Sequence, residues 1–127
     1  GGITWKYTIS SENNNSQQSA TRFGWGNRVP FLSRILPGGG TGGRKSEGSL
    51  ITGWPENLLL VSIKPLEDGS HLFHVRENAG EPTSLQLKNE IAQKNIELEE
   101  VNVLGNSVEN GSALLQPYES KFFKISY

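Results

Sequence analysis

The chain contains no cysteine. That absence removes disulfides, thiolate metal sites and cysteine nucleophiles together. Methionine is missing too, so the 127 residues read as a piece of a longer protein, and an active site is expected elsewhere in that parent. No charge of one sign dominates either: 12 basic and 13 acidic residues leave a net charge of −1. A chain so balanced offers no basic field to a phosphate backbone, and no nucleic-acid partner is expected. No apolar run approaches the roughly 20 residues of a spanning helix. No signal-peptide pattern is read at its start either, and no membrane span is expected.

What the chain does have is glycine, 15 residues of it, with a modest 34% of hydrophobic and 20% of charged residues. Abundant turn formers between short apolar segments favour an all-β domain over a helical bundle. "NLLLVSI", "HLFHV" and "KFFKISY" are strong enough apolar segments to exclude disorder of the whole. The first, "ITWKYTIS" (3–10), alternates Ile3, Trp5, Tyr7 and Ile9 with polar residues, the two-residue period of a half-buried strand that places Trp5 in the core. "SENNNSQQSA" (11–20) reads as an exposed loop. In "TRFGWGNRVPFLSRIL" (21–36) the glycines and Pro30 argue against a long helix.

Further along, "SLITGW" (49–54) and "NLLLVSIKP" (57–65) read as strands, with a bend at Pro55. Asp68-Gly69 in "LEDGS" marks a hairpin turn to the return strand "HLFHVREN" (71–78). This hairpin is expected near the centre of the sheet. Leu85 and Leu87 alternate in 83–90. Residues 91–106 fit a helix by propensity and short strands by the spacing of Ile96, Leu98, Val101 and Val103. After a turn at Asn110-Gly111, the chain closes on a strand with Phe123 and Ile125 on one face. The sum is one domain over 1–127, an antiparallel β-sandwich with few or no helices.

Candidate chemistry is sparse. "GGGTGGRKS" (38–46) resembles a phosphate loop, but Arg44 separates Gly43 from Lys45, and no strand–loop–helix pattern surrounds it. It reads as a connection. His71 and His74, three apart on a strand, point to opposite faces and cannot share a metal. Glu67 and Asp68 are paired carboxylates of the kind glycosidases use, yet they stand in a turn, where solvated acids are ordinary. No G-x-S-x-G elbow supports a serine triad. Asn14 and Asn110 open glycosylation-type triplets. Trp25, between two glycines, and Trp54, before Pro55, suit a surface better than a core. With Arg28 they are the candidate contacts to carbohydrate or to a neighbouring domain.

One stretch goes further. "NLLLVSIKPLEDGSHLFHVRENAGEP" resembles the C-terminal β-domain of the glycoside hydrolase family 38 α-mannosidases, where a strand starting near an asparagine runs into "ALKPAEDG". Asn57, Lys64, Pro65, Glu67, Asp68 and Gly69 match that pattern, as do Arg76, Glu77 and Gly80 on the return strand. "TWKYTISS", "SATRFGWGNRVP", "SLITGWPENLLL", "VNVLGN" and "LLQPYESKFFKISY" are similar, more loosely, to other segments of the family. Gly105 stands where the family usually has an acid. The resemblance implies a sandwich of the galactose-mutarotase-like, α-mannosidase C-terminal type.

It also implies a parent that is a retaining α-mannosidase, with two carboxylates and a zinc ion in an N-terminal α/β domain. None of those catalytic residues or zinc ligands maps onto this chain, which needs no cofactor of its own. Its implied role is to pack on the catalytic domain and help wall a groove for mannose-containing glycan. The rival readings are an independent carbohydrate-binding module, which needs an exposed Trp25 or Trp54, and a structural or adhesive sandwich.

Overall fold

The computed structural model describes residues 2–13, 16–28 and 48–126. The chain divides into two compact units, Gly1–Gly43 and Arg44–Tyr127. The glycine-rich stretch 38–46 and Asn14 lie outside the described residues.

In the first unit, residues 2–12 carry no regular secondary structure. Trp5 is 74% exposed, which corrects its assignment to the core and that of 3–10 to a paired strand. The physical reason is direct. Alternation sorts side chains onto two faces, but a strand also needs a neighbour for its N–H and C=O groups, and no described residue of its own unit supplies one. Residues 29–36 lie outside the described residues. Of the loop expected at 11–20 and the helix-averse reading of 21–36, residues 17–28 are corrected, because helix α1 spans Gln17–Arg28. Ser16 caps it, its hydroxyl accepting the Ser19 N–H at 3.1 Å, which satisfies an amide the first turn leaves open. Gly24 and Gly26 each weaken the helix by about 1 kcal/mol relative to alanine without forbidding its geometry. Arg28 stands in the last turn and offers a cation to the carbonyl end.

The second unit is all-β and antiparallel. Its strands are β1 (Ile51–Thr52), β2 (Leu58–Pro65), β3 (His71–Glu77), β4 (Thr83–Ser84), β5 (Lys88–Asn89), β6 (Lys94–Asn95), β7 (Glu97–Val101), β8 (Leu114–Leu115) and β9 (Ser120–Ser126). They form a four-stranded sheet of order β2-β3-β9-β7, a three-stranded sheet β1-β5-β6 and a two-stranded sheet β4-β8. With one helix among the described residues, the fold is the expected sandwich-like all-β class. The strand expected over 49–54 contracts to Ile51–Thr52. Residues 91–106 take the strand alternative, as β6 and β7, rather than the helix.

One face of the large sheet carries Leu58, Phe73, Val75, Phe123 and Ile125 into the core. Leu85, Leu87, Ile96 and Leu115, from the segments of the two smaller sheets, close over it. The alternation read from Leu85 and Leu87 is therefore real: both are buried, while Gln86 between them is exposed. Phe73 and Phe123 pair directly across β3 and β9. Burying such side chains away from water is the main source of the unit's stability, about 25 cal/mol for each Å² of apolar surface removed.

The β2–β3 hairpin forms where the sequence marks it. The Gly69 N–H donates to the Leu66 carbonyl at 3.1 Å, and Gly69 sits at φ +83°, a conformation L side chains resist. Its place in the sheet is different from the central one expected. β3 lies inside, but β2 is an edge strand.

Candidate functional site

Asn57, Asp68, Gly69, Glu77 and Gly80 fall on this one hairpin and its exit. Glu77, the last residue of β3, is completely buried. Its carboxylate accepts the Ala79 N–H at 2.7 Å, the Gly80 N–H at 2.8 Å and the Tyr118 N–H at 2.9 Å. The Asn57 amide donates to it at 3.1 Å and also reaches the Thr83 hydroxyl. Burial by itself raises the carboxyl pKa. The three backbone N–H groups and the Asn57 amide outweigh that and hold it below the ordinary glutamate value. A carboxylate closed from solvent and filled by four donors is unavailable as a base or nucleophile. It ties the end of β3 to the start of β2 and to the segment before β9.

Gly80 completes this knot. It sits at φ +81°, and a Cβ there would stand 2.7 Å from the Tyr118 hydroxyl. Only glycine fits both conditions. At the other end of the hairpin, Asp68 Oδ1 accepts the Ser70 N–H at 3.0 Å, and Oδ2 pairs with Lys124 on β9 at 2.6 Å. The Lys124 hydrogen bond, with Ser70 behind it, holds the Asp68 carboxyl well below the usual range. Glu67 beside it stays exposed.

No family model, no curated protein and no solved structure matches the chain.

The candidate contact residues divide between the two units. On α1 the Arg28 guanidinium lies 5.4 Å from the centroid of the Trp25 ring, a cation–π pair three residues apart on one helix face. With Thr21 and Gly24 they line a shallow concavity. Trp54 belongs to the β unit. Its indole N–H donates to the Leu58 carbonyl at 2.7 Å, and its ring lies 6.4 Å from that of Phe73. Trp54 thus flanks the core with its polar edge already used.

The two histidines occupy separate surroundings. His71 pairs with Ile125 in the register, whereas His74 pairs with Phe122 and stacks on it at 4.4 Å. Among the described residues, no three His, Asp or Glu side chains converge in a way that could hold a metal ion. Asn110 stands in an exposed turn at φ +56°.

Sequence reading singled out Asn57, Glu77 and Gly80 only through the resemblance. It missed Tyr118 and Thr83, which complete the same cluster. Tyr118 stands 41 positions from Glu77, and no local pattern links the two.

Proposed function

We propose that this chain is the non-catalytic C-terminal β-domain of a retaining, zinc-dependent α-mannosidase, packing on the catalytic domain and helping form the groove for mannose-containing glycan. The observation that carries the reading is where the matched residues lie. Five of the nine matched residues, Asn57, Asp68, Gly69, Glu77 and Gly80, close the β2–β3 hairpin at its two ends. The strongest part of the likeness therefore falls on one hairpin and the contacts that close it, which supports the reading of a shared domain type. In this reading the nucleophile, the acid/base carboxylate and the zinc belong to the parent's α/β domain, and the chain's contribution is shape and support.

The test has two parts. The gene surrounding the chain should encode a zinc-binding α/β domain on its N-terminal side. The purified chain should not cleave an aryl α-mannoside with or without zinc, while the parent should. A gene without such a domain, or turnover by the chain alone, refutes the proposal. The Trp25–Arg28 pair, a half-buried ring beside an exposed cation on α1, favours a second reading, a module that holds glycan by stacking. Titration with mannose oligosaccharides, followed by tryptophan fluorescence in wild type and Trp25→Ala, separates the two.

A further inference from the structure

The chain contains Asn-X-Ser triplets at Asn14 and Asn110. Asn14 lies outside the described residues. Asn110, Gly111 and Ser112 are all exposed in the β unit, on the connection between β7 and β8. An acceptor triplet takes any middle residue but proline, and Gly111 meets that condition. The turn holds itself in place through Gly111 and Ser112. The Gly111 N–H donates to the Val108 carbonyl at 3.2 Å, and a Cβ on Gly111 would stand 2.8 Å from that of Glu100. The Ser112 N–H donates to Glu100 Oε2 at 2.7 Å, and Lys121 closes on the same oxygen at 2.9 Å.

Asn110 gives the turn only its backbone, at φ +56°, a conformation asparagine tolerates better than most residues. Its amide bonds to no described residue. The other described asparagines differ from it. Asn27 and Asn57 spend their amide nitrogens on the Phe23 carbonyl and Glu77, Asn89 and Asn102 accept backbone N–H groups, and Asn78 is buried. Asn13, Asn95 and Asn106 are exposed but begin no triplet. Topology adds an independent observation. β9, the last strand, lies between β3 and β7. Until Ser120–Ser126 has been synthesised, β7 has no place in the sheet and Glu100 has no Lys121. The segment that carries Asn110 is therefore still unfolded during synthesis, and folding then leaves its amide outside.

We propose that Asn110 is an acceptor for an N-linked oligosaccharide. The donor is an oligosaccharide carried on a lipid pyrophosphate. Asn110 Nδ2 bonds to the anomeric carbon of the first sugar, the bond from that carbon to the pyrophosphate oxygen breaks, and one amide proton is released as the lipid pyrophosphate leaves. The sugar replaces an amide hydrogen that the described fold does not use, so the turn keeps the contacts made by Gly111 and Ser112. The attached glycan is bulky and solvated, and it belongs on a surface of this kind. The inference is independent of the mannosidase reading, so its failure leaves that reading intact.

Protein from its natural source, digested with trypsin, tests it, because the peptide 95–121 contains no triplet but that of Asn110. Release of the sugar by an N-glycosidase in heavy-oxygen water should leave labelled aspartate at position 110, and only after release. In the full chain secreted from a eukaryotic host, with Asn14→Gln to leave one triplet, the glycan should be present, persist in Ser112→Thr and vanish in Asn110→Asp. Asn110→Asp suits the same backbone, so its loss of sugar is not a loss of fold. Glycosylated and released chains should share one melting temperature. Three results would overturn the proposal: a natural peptide without sugar at Asn110; aspartate at 110 that forms without the glycosidase, by spontaneous attack of the Gly111 nitrogen on the Asn110 amide; or a glycosylated chain that no longer folds.

Discussion

Glu77 shows how a single buried charge is made stable. Its oxygens are matched to three backbone amides and the Asn57 side chain. Glu77→Gln keeps the shape but turns an NH2 group toward N–H donors. Each lost charge-assisted bond costs about 1.5–3 kcal/mol, so a clear fall in the midpoint of denaturant unfolding is expected. An unchanged midpoint would mean the cluster contributes little. Gly80 offers a sharper experiment. Gly80→Ala meets both a positive φ and the Tyr118 hydroxyl at 2.7 Å, and should cost more than about 1 kcal/mol. Adding Tyr118→Ala relieves the contact but not the backbone strain, so the double variant should recover only part of the loss. Full recovery would place all of the cost in the contact.

Among the elements, the β2–β3 hairpin was the most legible. Asp68-Gly69 supplies a turn by purely local chemistry: a side chain that accepts its own backbone two residues on, and a residue free to take φ +83°. Asp68→Asn keeps that acceptor and loses the Lys124 ion pair, whereas Asp68→Ala loses both. Exchange at the Ser70 amide should therefore quicken in the order wild type, Asn, Ala. Equal rates in the two variants would assign the whole effect to Lys124. Helix α1 was missed because glycine lowers helix propensity without abolishing it, and the cap at Ser16 is a single residue in a polar run. β1 was overdrawn because alternation over 49–54 does not say how far a partner extends. Only Asn89 and Lys88 face it.

At the scale of the whole molecule, the acid limit of stability follows from several carboxylates at once. Asp68, Glu77, Glu90 and Glu100 are all held below their ordinary values. For Glu100 burial pulls upward, but the Ser112 N–H and Lys121 outweigh it. With folded values below unfolded ones, the unfolded chain binds more protons in acid. Their stabilisation is complete above the unfolded values near pH 4 and is lost as pH falls through the lower folded ones. Melting temperature should stay level from pH 7 to about 5 and drop below about 4. In Glu77→Gln the acid slope should be shallower from a lower start. A slope identical to wild type would show that Glu77 titrates alike in both states.

The sequence by itself determined the all-β antiparallel class, the β2–β3 hairpin and its turn, and the burial of Leu85, Leu87, Phe123 and Ile125. These depend on neighbours within a few residues or on the two-residue period of a strand, which the order of residues contains directly. Tertiary structure alone decided that β2 lies at an edge and that Glu77 and Tyr118, 41 positions apart, meet in one cluster. It also decided that Trp54 flanks the core while Ile3, Trp5, Tyr7 and Ile9 find no cover among the described residues of their own unit. The cause is the same in each case. A periodic pattern says which side chains share a face, whereas pairing, capping and burial depend on the distant segment that arrives opposite, and that segment leaves no mark in the local sequence.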